Sequence, residues 1–237
     1  MRAVTGKKEP DANADALIWH ADVRRMLLTQ KAIAEGGRAM IYAAAQTADL
    51  MVDAGRRQDR ATQDKHDDTL GFYTPILKGF LTEMGLEAAN LGMQVFGGHG
   101  YIHEHGMEQI ARDARIATLY EGTTGIQALD LLGRKVLLGT RGRCVRDFSR
   151  IMLRSAKAHW LAHGSIGRMA RSTAMRAVEW NLLTLRIMRR VGKDRDLVGS
   201  ASVDYLMYSG YVMMAHFWVR QAAVAQTFLR NGKGAES

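Results

Sequence analysis

Only two prolines, Pro10 and Pro75, interrupt this 237-residue chain. Proline inside a helix removes a backbone donor and clashes with the turn before it, so the long proline-free stretches leave helix as the accessible regular structure. Apolar and small residues fall at helical spacing throughout. Val23, Leu27, Ile33, Gly37, Ile41, Ala44, Ala48 and Met51 mark one long amphipathic helix. Leu77, Phe80, Leu81, Met84, Ala88, Leu91 and Val95 mark a second, with Pro75 expected in its first turn, where a missing N–H costs least. The charged run 53–68 reads as the connection between them, with Asp68 or Thr69 capping the next helix. Asp15 or Asp22 is a candidate N-cap for the first.

Gly97-Gly98 ends the second helix, and Ile126, Leu129, Leu132 and Val136 open another. Three further patterns follow: Val145, Phe148, Met152, Ala156, Trp160; then Ile166, Met169, Thr173, Ala177, Trp180, Thr184, Ile187, Val191; then Val203, Leu206, Tyr211, Met214, Phe217, Val224, Phe228. Long helices on short loops predict an all-α fold. Residues 1–14 read as a loop, 15–140 as a helical bundle and 141–237 as a second helical extension, with the boundary at Gly139-Thr140-Arg141-Gly142. The methionines Met169, Met188, Met207, Met213 and Met214 read as bundle core rather than a ligand groove.

Charge divides the chain. Residues 1–133 hold 14 Lys+Arg and 18 Asp+Glu, a balance of −4; residues 134–237 hold 19 and 6, a balance of +13. The basic half, with Arg186, Arg189, Arg190, Lys193 and Arg195, suits an anionic partner such as nucleic acid, or is simply a solvated face. No aromatic residues interleave those arginines to stack on bases. The lone Cys144 allows neither an intrachain disulfide nor a cysteine-based zinc site, which suits a reducing cytoplasm, and no apolar run is long enough to span a membrane.

The chemistry concentrates in residues 94–127, QVFGGHGYIHEHGMEQIARDARIATLYEGTTGIQ. Gly97, Gly98 and Gly100 offer bare backbone that a phosphate can approach, or form a plain helix stop. His99, His103, His105 and Glu104 crowd one loop without a second ligand cluster, so no metal site is assigned. Glu121 stands where a loop meets a helix. From spacing alone it reads as a first-turn carboxylate satisfying the helix dipole; the functional alternative is a general base.

Gln94-Val-Phe-Gly-Gly-His-Gly-Tyr101, Arg112-Asp113-Ala114 and Tyr120-Glu121-Gly122-Thr123, in this order and spacing, strongly resemble the C-terminal helical domain of the acyl-CoA dehydrogenases. The segment from His20, Glu35-Gly36-Gly37-Arg38 and the segment 71–78 resemble the 3-methylmercaptopropionyl-CoA dehydrogenase branch, which carries a helical extension after the equivalent of Gly133-Arg134-Lys135-Val136. The resemblance implies α,β-dehydrogenation of an acyl-CoA thioester with FAD as cofactor and an electron-transfer flavoprotein as acceptor. It implies Glu121 as catalytic base and Gly122 against the substrate. It implies Gln94, Val95, Phe96, Gly97 and Gly98 at the FAD of a neighbouring subunit, and Thr123 and Gly125 as further flavin positions. Relatives often have Gln at the position of Gly125, and Gln127 is the nearby alternative. An N-terminal helical domain and a β-domain precede this region in the family. The expectation is therefore one part of a larger or split enzyme, a homo-oligomer or one completed by an N-terminal part, with apolar stripes exposed where those parts would pack.

Overall fold

A computed structural model describes residues 1–232, so the last five residues of the expected extension lie outside the described residues. The protein is all-α, and among the described residues there is no strand. Its helices are α1 (Ala21–Arg56), α2 (Arg60–Phe96), α3 (Gly98–Tyr101), α4 (Met107–Ile116), α5 (Thr124–Leu129), α6 (Arg143–Ala158), α7 (Gly164–Val191) and α8 (Asp196–Arg230). The helix begun by α5 continues as a wider, π-type segment, Asp130–Gly139. The chain forms two compact units, one from residues 1–35 and 82–120, the other from residues 36–81 and 121 onward.

The charged run 53–68 is not a connection. Only residues 57–59 separate α1 from α2. Gln58 turns the chain with a φ of 59°, and Asp59 caps α2 by accepting the Thr62 N–H at 3.1 Å. Residues 60–68 then form solvated helix, with an Arg60–Asp64 pair one turn apart. Asp68 and Thr69 consequently lie inside α2: Asp68 pairs with Arg143, and the Thr69 hydroxyl donates to the Lys65 carbonyl. Pro75 also falls in the interior of α2 rather than its first turn. Its flanks Phe72, Tyr73, Ile76 and Phe80 are all buried, so packing offsets the lost backbone bond.

In the first unit the N-terminal loop wraps one carboxylate. Asp15 accepts from the backbone N–H of Ala3 and Lys8 at 2.8 Å and of Glu9 at 2.9 Å. These bonds, Ala3's foremost, hold its carboxyl well below the usual range. Asp15 thus closes a loop and does not cap α1; Asp22 sits inside the first turn and pairs with Arg25. The buried face of α1 in this unit includes Met26, while Leu27 and Leu28 are exposed.

In the second unit residues from both sides of position 140 share one core. The Phe72 ring stacks on Trp180 of α7 at 5.9 Å, Tyr73 meets Phe148 of α6 edge-on at 5.8 Å, and Phe80 meets Tyr211 of α8 at 4.9 Å. The stripes read for α6 and α7 are the buried ones, except that Trp160 is half exposed and Met169 and Val191 are only partly buried. In α8 they are not. Val203, Tyr211, Val224 and Phe228 are exposed, while Tyr205, Leu206, Ser209, Gly210, Val212, Met213, His216, Phe217 and Val219 are buried. A helix buried on several sides has no single stripe to read. Likewise Ile126 and Leu129 are exposed, and Ala128, Leu131, Leu132 and Val136 form the inner face of α5 and its continuation. In α1, Met40, Ala44 and Ala54 are buried and Ile41 is exposed.

The closest approach of one helix to another at a glycine of this unit is at Gly210. A β-carbon there would lie 2.1 Å from Cγ of Phe80. Gly199, earlier in α8, has no neighbour within 4 Å of the same position. Gly210→Ala is therefore expected to destabilise the chain by about 1–3 kcal/mol through overpacking, and Gly199→Ala to stabilise it by about 0.5–1 kcal/mol through helix propensity. Urea unfolding of both variants checks this; equal, small effects would show that α2 and α8 are not in tight contact.

Candidate active site

Glu121 follows the last residue of the first unit and opens the second part of the other. Its backbone is left-handed, with a φ of 52°, which is costly for a residue bearing a side chain. Gly122 continues the turn at a φ of 92°, where glycine is required. The helix then starts at Thr124, capped by Thr123, whose Oγ1 accepts the Ile126 N–H at 3.4 Å. Glu121 therefore lies outside the helix and does not cap it. Its side chain is exposed, and among the described residues its carboxylate has no hydrogen bond or ion pair.

Gln127 reaches back across this turn. Its Nε2 donates to the Glu121 carbonyl at 3.4 Å and lies 2.7 Å from where a β-carbon on Gly122 would be. The i to i+6 spacing of this clasp carries no periodic signal, so the sequence gives no reason to single it out. Gly125 has nothing nearer than Thr123 Oγ1, 4.0 Å from its would-be β-carbon, which leaves that side of α5 open.

The other candidate residues fall in the first unit. Gln94 is exposed, Val95 half-buried and Phe96 49% exposed at the end of α2. Gly97 has a φ of 60°, and its N–H donates to the Gln94 carbonyl. Neither Gly97 nor Gly98 has any atom within 4 Å of a β-carbon position, so the backbone there faces open space. Beside this segment runs a groove of about 1000 Å³ whose lining includes Met93, Tyr101, His103, Glu108, Arg112 and Ile116. An exposed stretch of backbone beside a large mixed groove fits a bulky phosphorylated ligand such as a dinucleotide.

The histidine loop is organised internally. His103 Nδ1 lies 3.2 Å from Glu108 Oε1, and His99 packs edge-on to His105 at 5.3 Å. Among the described residues no three His, Cys, Asp or Glu side chains converge as metal ligands. Arg186, Arg189, Arg190, Lys193 and Arg195 are all exposed at and beyond the end of α7.

Residues 3–137 match the acyl-CoA dehydrogenase C-terminal domain, and residues 148–237 match a family described as acetyl-CoA dehydrogenase C-terminal like. The chain belongs to the acyl-CoA dehydrogenase family. It is 38% identical over 228 residues to 3-methylmercaptopropionyl-CoA dehydrogenase of Ruegeria pomeroyi, covering 94% of this chain and 37% of that protein. It is 39% identical over 235 residues to the broad-specificity linear acyl-CoA dehydrogenase of Mycobacterium tuberculosis, covering 90% and 35%. A butyryl-CoA dehydrogenase of Syntrophomonas wolfei is 37% identical over 130 residues, 55% of this chain and 21% of that protein. The chain thus spans less than two fifths of the length of these relatives. The first two alignments cover at least nine tenths of this chain, so those relatives carry counterparts of the later helices as well.

A side chain kept in a left-handed turn without a partner contributes strain and no holding contact. Glu121→Gly is expected to leave the chain as stable or more stable, by up to about 1 kcal/mol, whereas Gly122→Ala is expected to cost about 1 kcal/mol or more. Denaturant midpoints measure both; a clear loss of stability in Glu121→Gly would mean that the carboxylate holds the loop.

Proposed function

We propose that this chain is the C-terminal part of an FAD-dependent acyl-CoA dehydrogenase, acting on an acyl-CoA thioester, with 3-methylmercaptopropionyl-CoA, the substrate in the name of the Ruegeria pomeroyi relative, as the candidate. The observation that carries the reading is the free, exposed carboxylate of Glu121 on a strained turn that Thr123 and Gln127 build without it. A proton α to a thioester is weakly acidic. Its removal needs a positioned carboxylate, and water exclusion on substrate binding raises that carboxylate's basicity. Glu121 takes this proton, and Gly122, lacking a side chain, lets the substrate lie close beside it. FAD, when bound, supplies the acceptor for the hydride lost from the β-carbon.

Gln94, Val95, Phe96, Gly97 and Gly98 provide the surface for a neighbouring subunit's FAD, supported by the open backbone at Gly97 and Gly98. Thr123 and Gly125 form the flavin-facing start of α5. Thr123 caps with its oxygen and retains its hydroxyl proton for donation. Gly125 offers backbone alone. The apolar residues left exposed in the first unit, among them Leu28, Phe96, Tyr101 and Ile116, support completion by further polypeptide, as a homo-oligomer or with an N-terminal part. An electron-transfer flavoprotein is the proposed acceptor, and the cytoplasm the proposed setting.

The test is reconstitution with the remaining domains of a full-length relative and turnover assayed with an artificial electron acceptor. Glu121→Gln keeps the shape and removes the basicity, and is expected to lower kcat by roughly 10²-fold or more with FAD content unchanged. Glu104→Gln and Glu108→Gln, in the histidine loop and at the start of α4, are expected to cost far less. Near-full turnover in Glu121→Gln would place the base elsewhere.

A further inference from the structure

A second cleft lies within the other unit, between the first turns of α2 and the length of α6. Its volume is about 600 Å³. The floor is aromatic and rigid. Phe72, Tyr73 and Phe148 are buried, lie 5.8–6.1 Å apart in a chain of ring contacts, and are backed by Trp180. Such a floor is already formed, and Ile151, 49% exposed, adds apolar surface beside it.

The rim is charged, and its charges are unequally committed. Asp68 pairs with Arg143 at 2.8 Å, joining α2 to α6 across the cleft. Asp147 pairs with Arg150 at 2.7 Å, and Asp64 with Arg60 at 3.4 Å. All three rim carboxylates are thereby engaged. Two rim cations remain, Lys65 on α2 and Arg154 on α6, both exposed and neither with a carboxylate partner among the described residues. An apolar floor below uncommitted cations on both walls selects a ligand with one anionic end and an apolar body.

We propose that this cleft binds a carboxylate carried on a short apolar body, aliphatic or aromatic, with its charge between Lys65 and Arg154 and its body over Phe72, Tyr73 and Phe148. The site belongs to the second unit alone and is independent of the reading of Glu121. A small acid is favoured over a polymer, because Asp68 and Asp147 already occupy the rim arginines Arg143 and Arg150 and leave two cations for one anionic group. Guanidinium and ammonium together hold one carboxylate by charge-assisted hydrogen bonds.

The cleft contains its own reporter. Cys144, the chain's only cysteine, is in its wall, with Sγ accepting from the Thr140 hydroxyl at 3.0 Å. Burial pushes its thiol up, so alkylation at neutral pH is slow and sensitive to access. The experiment follows N-ethylmaleimide labelling of Cys144 in the full chain by mass spectrometry, with octanoate, benzoate, octan-1-ol or acetate added. Octanoate or benzoate is expected to slow labelling about 10-fold or more at saturation, telling an aliphatic body from an aromatic one; octan-1-ol and acetate at the same concentration are expected not to. Lys65→Ala/Arg154→Ala, changed at two exposed positions, is expected to raise the protecting concentration about 10-fold. Failure of both acids to protect at about 10 mM, equal protection by octan-1-ol, or undiminished protection in the double variant would each overturn the site.

Discussion

The ring of Phe80 lies directly on the backbone of Gly210, and the second unit is organised around that contact. It lets α8 approach α2 as no helix with a side chain at that point can. Leu206, one turn before Gly210, then reaches Gly79, and Gln127 of α5 packs beside the same glycine, with its Cβ 3.3 Å from the β-carbon position. Gln127 is the residue whose amide holds the Glu121 carbonyl. A packing contact deep in the core is thus two steps from the candidate base. Helices that sequence motifs leave unassigned are part of what positions the turn.

Around that contact the polar groups are handled in two ways. Some are satisfied inside the bundle: the Thr184 and Tyr205 hydroxyls bond at 2.7 Å, and the Ser209 hydroxyl donates to the Tyr205 carbonyl. Others are left unpaired. His216, set among Phe148 and Phe217, has no partner for Nδ1, and burial holds its pKa down to about 4, so it is neutral in the core at physiological pH. The candidate site follows the opposite logic. Thr123 and Gln127 satisfy the turn with neutral groups, and the one charged side chain there is left to face outward.

The sequence made the helices legible where each has one buried face, as in α6 and α7. It was misleading where polarity looked like a loop. Residues 60–68 are charged because they form the solvated start of a helix, and Asp59, not Asp68, supplies the cap. Pro75 in mid-helix shows tertiary burial overriding local preference. The role of Glu121 divides in the same way. Spacing alone favours a capping carboxylate, and that reading fails because Thr123, two residues later, has the geometry to cap. Gln127, which reaches the Glu121 carbonyl, packs beside Gly79 of α2, and α5 packs on α8; no local pattern encodes these contacts.

On this packing the helices after residue 140 hold the turn bearing Glu121 through α8. Amide hydrogen exchange over residues 121–139 tests it most directly, comparing the full chain with one ending after Arg141. Loss of protection throughout this segment in the shortened chain is the expected result, because Ala128, Leu131 and Leu132 would lose the core that buries them. Unchanged protection in a folded, shortened chain would mean instead that the turn is built by the first 140 residues alone.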